Sequence, residues 1–258
     1  MALTKEQIKG FKEAEKEAQD SDDFREVAKN IAEAGDKEWA KKTYEKAEEK
    51  TDDPYELYYL AQCICENLGD KEWAKKTYEK VEEKAKDFSQ FISLASDICE
   101  KLGDKDWGKK LYKKAESKAE GFWEINQVAD SICEKLGDKE WAIKLYQKAE
   151  KKAEDSSDLR SVADSIHEKL GDKEWAIKLY QKAEKKAEDC SDFIRLADSI
   201  YGNLGDKDWV KILYKQAEEK AEDSSDYESL AESLRDQLGD KKWAKLADQK
   251  AKELEDDE

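Results

Sequence analysis

From Ile125 to Ala153 the chain reads INQVADSICEKLGDKEWAIKLYQKAEKKA. The apolar residues ahead of Gly137 are Ile125, Val128, Ala129, Ile132 and Leu136, and their spacing follows one face of an α-helix. Behind it come Trp141, Ala142, Leu145, Tyr146, Ala149 and Ala153, the face of a second helix. Only Gly137 and Asp138 separate the two. Glycine ends a helix by taking left-handed backbone that a Cβ makes costly. The aspartate carboxylate then accepts from the free amides that open the next helix. Glu140 sits at the positive end of that helix, and Lys148, Lys151 and Lys152 gather toward its negative end. So short a link makes the two helices antiparallel, a helical hairpin.

The same Gly-Asp-Lys, with Trp two residues on, recurs at Gly35, Gly69, Gly103, Gly137, Gly171, Gly205 and Gly239, each 34 residues after the last. Segments 130–158 and 164–192 differ only at Cys133/His167 and Ser156/Cys190. Between repeats, Asp-Ser-Ser-Asp stretches start the next helix, and Asp53-Pro54 does so in the second repeat, where proline is tolerated in a first turn. One hairpin alone buries too little apolar surface to offset the ordering of its own backbone. Stacked neighbours cover both faces. The predicted fold is therefore all-α, an α-solenoid of seven 34-residue antiparallel helical hairpins.

Residues 4–19 carry a narrow apolar stripe of Ile8, Phe11, Ala14 and Ala18 that suits a helix laid over the first hairpin. The expected division is a capping helix over residues 1–20 and a single continuous array over residues 21–258. At the far end, the tyrosine column at 44, 78, 112, 146, 180 and 214 is broken by Asp248, as a terminal helix with no following repeat requires.

Charged residues make up 44% and hydrophobic ones 38%, with one proline, which excludes a sheet protein. Eight Trp and eleven Tyr at regular spacing exclude disorder. The start, Met1-Ala-Leu-Thr-Lys-Glu, has no apolar stretch behind a basic opening, so no signal peptide is expected. No apolar run approaches the roughly 18 residues of a membrane span. Five cysteines, at 63, 65, 99, 133 and 190, are odd in number and lack disulfide-framework spacing, which points to a reducing cytoplasm. The net charge of −17 argues against a nucleic-acid partner; it reads first as solubility, and as to partners it suits a basic protein surface.

The first repeat resembles the tetratricopeptide family: Phe24-x2-Val27-Ala28-x2-Ile31, then Gly35-Asp36, then Ala40-x3-Tyr44-x2-Ala47. Later repeats keep the second half, as in Ala142-x3-Tyr146-x2-Ala149, but their first helix sits one residue farther from the glycine. The family's proline between repeats is missing apart from Pro54, and the Trp after each Gly-Asp is not part of its usual pattern.

That resemblance implies a concave groove lined by the first helices and used to bind peptides. Three columns would face it. One is Tyr58, Ile92, Asn126, Arg160, Ile194 and Glu228; the next is Gln62, Ser96, Asp130, Asp164, Asp198 and Glu232. The last is Cys65, Cys99, Cys133, His167, Tyr201 and Arg235. The middle column turns acidic toward its C-terminal half, which makes Asp130, Asp164, Asp198 and Glu232, with Asn126 and Arg160 beside them, the expected partner-binding residues for a basic ligand. The family's basic clamp for acidic tails has no counterpart.

No catalytic or metal-ligating set emerges. Members of the Cys/His column lie one repeat apart, near 10 Å for packed helices, whereas zinc needs every ligand about 2.0–2.3 Å from one ion. His167 stands where another repeat has Cys133, and no motif pairs it with a nucleophile. The tryptophan column reads as helix-on-helix packing. The expected function is thus a non-enzymatic, cofactor-free scaffold for protein–protein interaction. The alternative is a self-assembling structural protein, since near-identical repeats offer one surface many times.

Overall fold

The computed structural model describes residues 3–255; Met1, Ala2 and residues 256–258, the extremes of the two expected divisions, lie outside it. Among the described residues all regular structure is helical. The chain folds as two compact units, residues 1–119 and 120–258, and each is a repeat array of consecutive, neighbour-packed helices.

The first unit contains α1 (Lys5–Glu17), α2 (Ser21–Glu33), α3 (Lys37–Glu49), α4 (Pro54–Cys63), α5 (Lys71–Lys84), α6 (Phe88–Asp97) and α7 (Lys105–Lys118). The second contains α8 (Phe122–Ser131), α9 (Lys139–Lys152), α10 (Ser156–Ser165), α11 (Lys173–Lys186), α12 (Cys190–Leu204), α13 (Lys207–Lys220), α14 (Ser224–Ser233) and α15 (Lys241–Glu255). The dominant packing joins each helix before a Gly-Asp to the helix after it: α2 with α3, α4 with α5 and α6 with α7, then α8 with α9 and onward to α14 with α15.

The turn chemistry follows the expected plan. All seven repeat glycines have positive φ, from 66° at Gly239 to 102° at Gly35. A Cβ added at Gly69, Gly103 or Gly137 would meet nothing, so glycine is required there by backbone conformation and not by space. Each following aspartate caps the next helix through the tryptophan amide, as from Trp73 N to Asp70 (3.1 Å) and from Trp175 N to Asp172 (3.0 Å).

The one-residue shift between the first repeat and five of the six later ones has a structural cause. After α2 the chain closes in a Schellman motif, Gly35 N donating to Ala32 O and Asp36 N to Ile31 O. In α4, α6, α8, α10 and α14 the helix continues through a widened π-helical turn, for example Ile98–Leu102 and Ile132–Leu136. Asp104 N there reaches back one residue farther, to Ile98 O at 3.2 Å. The π turn takes up the extra residue, so Ile98 and Ile132 stay as fully buried as Ile31.

The core is aromatic at its centre. Tyr44, Tyr78, Tyr112, Tyr146, Tyr180 and Tyr214 have no exposed surface, and Ala40, Ala74, Ala142 and Ala176 let the helices approach them. Their hydroxyls are buried donors that need acceptors. Which groups supply them decides much of the candidate surface.

Candidate interaction surface

Five of the six expected partner-binding residues form a polar ladder between first helices. Tyr146 donates to Asp130 (2.6 Å), Tyr180 to Asp164 (2.6 Å) and Tyr214 to Asp198 (2.6 Å). The second oxygen of each carboxylate takes a serine from the following first helix: Ser165 on Asp130 (3.2 Å), Ser199 on Asp164 (3.1 Å) and Ser233 on Asp198 (3.4 Å). Asn126 reaches Ser165 (3.0 Å), and Arg160 reaches both Asp164 (3.2 Å) and Ser199 (3.2 Å). These groups therefore tie repeat to repeat, whatever else they touch.

Asp164 is the most heavily used. It also accepts from Asn203 (2.9 Å), which itself donates to the Tyr180 hydroxyl (2.7 Å). Burial pushes the Asp130, Asp164 and Asp198 carboxyls above their ordinary range, against the lowering pull of their hydrogen bonds. Burial, then the facing carboxylate, drives the phenols of Tyr146 and Tyr78 up.

In the first unit the same need is met by other residues. Tyr78 donates to Asp97 (3.1 Å), an acid on the next first helix that also takes Gln62 (2.7 Å). Tyr112 pairs with Ser96 (2.9 Å); Tyr44 differs, its hydroxyl accepting from Asn67 (2.8 Å).

Glu232, the sixth expected residue, is exposed. The position of its tyrosine is taken by Asp248, which is held by Arg235 at 2.8 and 3.0 Å. Glu228, Glu232, Arg235, Asp236 and Asp248 line an open acidic cleft there.

A second tie, absent from the expected set, recurs on the second helices. In most repeats one glutamate near the end of a second helix receives the tryptophan and the lysine of the next; Glu184, for which Gln216 stands in the lysine's place, takes only Trp209 (3.0 Å) among the described residues. Glu48 takes Trp73 Nε1 (2.9 Å) and Lys80 (2.9 Å); Glu82 takes Trp107 (2.6 Å) and Lys114 (2.6 Å). In the second unit Glu150 takes Trp175 (3.1 Å) and Lys182 (2.5 Å), and Glu218 takes Trp243 (3.0 Å) and Lys250 (3.3 Å). The tryptophan column is thus a packing column with a polar register pin. Glu15 on α1 does the same for Trp39 (3.4 Å), Thr43 (2.9 Å) and Lys46 (2.9 Å), and Phe11 meets Trp39 edge-on at 5.9 Å.

The cysteines are free and do not converge; Cys65 and Cys133 lie against the carbonyls of Lys101 (3.9 Å) and Lys169 (3.5 Å). Among the described residues no group of three His, Cys, Asp or Glu is placed to hold a metal ion, and no helix is long and apolar enough to cross a membrane.

Sequence reasoning missed the exposed aromatics. Tyr55 is 56% exposed, Tyr59 48% and Trp123 62%. At the repeat positions of Tyr55 and Trp123 the other later repeats carry Ser89, Ser157, Ser191 and Ser225; at that of Tyr59 stand Ser93, Ser161 and Ser229 among others. The fold asks only for a serine at these places. Ile212 and Leu246, 54% and 58% exposed, likewise stand where five repeats have Lys42, Lys76, Lys110, Lys144 and Lys178. Aligning the repeats and looking for large apolar residues among small or charged ones is the signal that finds all five.

The chain matches no protein-family model and no curated protein at a significant level.

Proposed function

We propose that the protein is a tetratricopeptide-like array of seven hairpins, capped by α1, and that it works as a non-enzymatic scaffold binding a basic protein or peptide along its first helices. The observation that carries the function is the contrast between framework and surface. Tyrosine, tryptophan and glutamate ties recur from repeat to repeat, while the exposed first-helix positions change from serine to tyrosine, tryptophan, glutamine or arginine. A framework held constant under a varied face is what a recognition surface needs. The charge of −17 and the acidic cleft around Glu228 and Glu232 favour a basic ligand.

The cap reading is supported by α1 itself. Its Glu15 and Phe11 supply to Trp39 what the preceding second helix supplies to later tryptophans. At the far end Lys252 stands where Glu48, Glu82, Glu150, Glu184 and Glu218 stand in earlier repeats, so α15 lacks the acceptor that a further repeat would use.

The test removes charge while keeping one acceptor oxygen at each position. The quintuple variant Asp130→Asn, Asp164→Asn, Asp198→Asn, Glu228→Gln and Glu232→Gln is expected to bind a Lys/Arg-rich peptide about tenfold more weakly by calorimetry, each charge contributing modestly. Equal affinities would refute the acidic face as the binding surface.

A second reading, self-assembly through the repeat surfaces, is favoured by Ile212 and Leu246, two exposed aliphatics on successive second helices. Under it, light scattering over a concentration series shows a rising mass that Ile212→Lys with Leu246→Lys abolishes. A constant mass in the wild-type chain removes this reading.

A further inference from the structure

Pro54, Tyr55, Tyr58 and Tyr59 open α4, and their rings face Val81 of α5 and the first turns of α6. Together they enclose a cleft of about 120 Å³. Tyr58 is the floor: its ring lies edge-on to Tyr59 at 5.6 Å and to buried Tyr78 at 6.1 Å. Tyr55 and Tyr59 are the walls, one helical turn apart and half exposed. Ser89 and Ser93 of α6 complete the lining of the cleft.

Two observations separate this cleft from ordinary surface. Most equivalent positions elsewhere in the chain hold serine, so packing does not require Tyr55 or Tyr59. The cluster also already takes a guanidinium on a ring face: the Arg25 carbon lies 5.6 Å from the Tyr59 centroid, with its charge neutralised by Asp22 at 2.8 Å. Aromatic faces carry negative potential and attract cations, and guanidinium stacks on them as a flat plate. Hydroxyls beside the rings can accept its N–H groups. A chain of net charge −17 draws cationic ligands and repels anionic ones.

We propose that this cleft is an arginine-binding subsite, in which an arginine side chain of a basic peptide lies between Tyr55 and Tyr59 with its N–H groups directed at Ser89 and Ser93. The inference rests on the basic-ligand reading above and supplies its anchor. In such interfaces a few aromatic and arginine contacts contribute most of the affinity, and surrounding charges mainly set the encounter rate.

The test uses the full chain and three capped Gly/Ser peptides of equal length, carrying two arginines, two lysines or two prolines, at about 150 mM salt. Calorimetry is expected to rank arginine above lysine by about threefold and both above proline. Tyr55→Ser with Tyr59→Ser, which installs the residue other repeats use, is expected to weaken the arginine peptide about tenfold with an unchanged helical circular-dichroism spectrum. If that double variant binds as tightly as wild type while the five-residue amide variant does not, the cleft is not the anchor and the basic-ligand reading stands. Proline binding tighter than arginine overturns the cation assignment. Failure of wild type to bind either cationic peptide overturns both readings.

Discussion

Asp164→Ala is expected to cost about 3 kcal/mol of folding stability, and Asp164→Asn about half as much, read as midpoints of urea unfolding. The carboxylate serves Tyr180, Asn203, Ser199 and Arg160 at 2.6, 2.9, 3.1 and 3.2 Å. Alanine leaves a fully buried tyrosine hydroxyl without its acceptor and the half-buried Arg160 without its acid. An unsatisfied buried donor costs the whole desolvation of the group, which exceeds what the hydrogen bond itself contributed. Asparagine keeps one oxygen for Tyr180 and Asn203, but its NH2 cannot accept from Arg160, so the charge and that hydrogen bond are lost together. Equal losses for the two variants would mean that the charged oxygen facing Arg160 and Ser199, not the acceptor for Tyr180, is what Asp164 supplies.

The pH dependence sharpens this. Because burial raises the folded-state pKa of Asp164 above its unfolded value, the ionised form is the penalised one. Its contribution is fully present below the unfolded pKa, about 3.9, and is lost as pH rises through the folded pKa. The asparagine variant has no such dependence, so the difference between the two proteins shifts in favour of wild type as the solution is acidified. Glu48 runs the other way. Burial pushes its pKa up, but hydrogen bonds from Lys80, Trp73 and Thr77 outweigh that and leave it lowered. Its stabilisation is present above the unfolded value, about 4.3, and is lost as pH falls through the folded pKa.

The helices, their caps and the core faces were legible because each depends on a local rule. Gly137 and Asp138 are short-range chemistry, and Ile125 to Leu136 is a period. The one-residue shift after the first repeat was also visible, but not that a π turn would absorb it. The polar ladder was harder to read. Helical spacing put Asp130, Asp164 and Asp198 on the first-helix face, yet spacing cannot say that a tyrosine sixteen residues on would aim its hydroxyl at them. Glu48 and Glu218 were hidden for the opposite reason: in a chain so rich in Glu and Lys, a glutamate that pins a tryptophan looks like any solvated one. Tyr55 and Tyr59 could have been found by comparing repeats, since only their departure from serine marks them.

Rebuilding both ends should turn the protein into a polymer. A variant lacking residues 1–19 and carrying Asp248→Tyr and Lys252→Glu is expected to show mass rising steeply with concentration in light scattering. Without α1, Trp39, Thr43 and Lys46 lose Glu15, the group that satisfies all three. With a carboxylate at position 252 and a phenol at position 248, α15 would present the pair that Tyr180 and Glu184 present to Trp209, which meets the Tyr180 ring at 6.4 Å and donates to Glu184 at 3.0 Å. The new phenol would also give Glu232 the donor it lacks. One copy's end then fits the next copy's start by the contact that already joins repeats, and a heterologous contact that does not close grows without limit. Under the capping proposed above, either end altered alone leaves the other end blocked, by α1 or by Lys252, and should keep a constant mass. The doubly altered chain also staying at constant mass, with its helical spectrum intact, would show that the tryptophan–glutamate tie does not specify how repeats join.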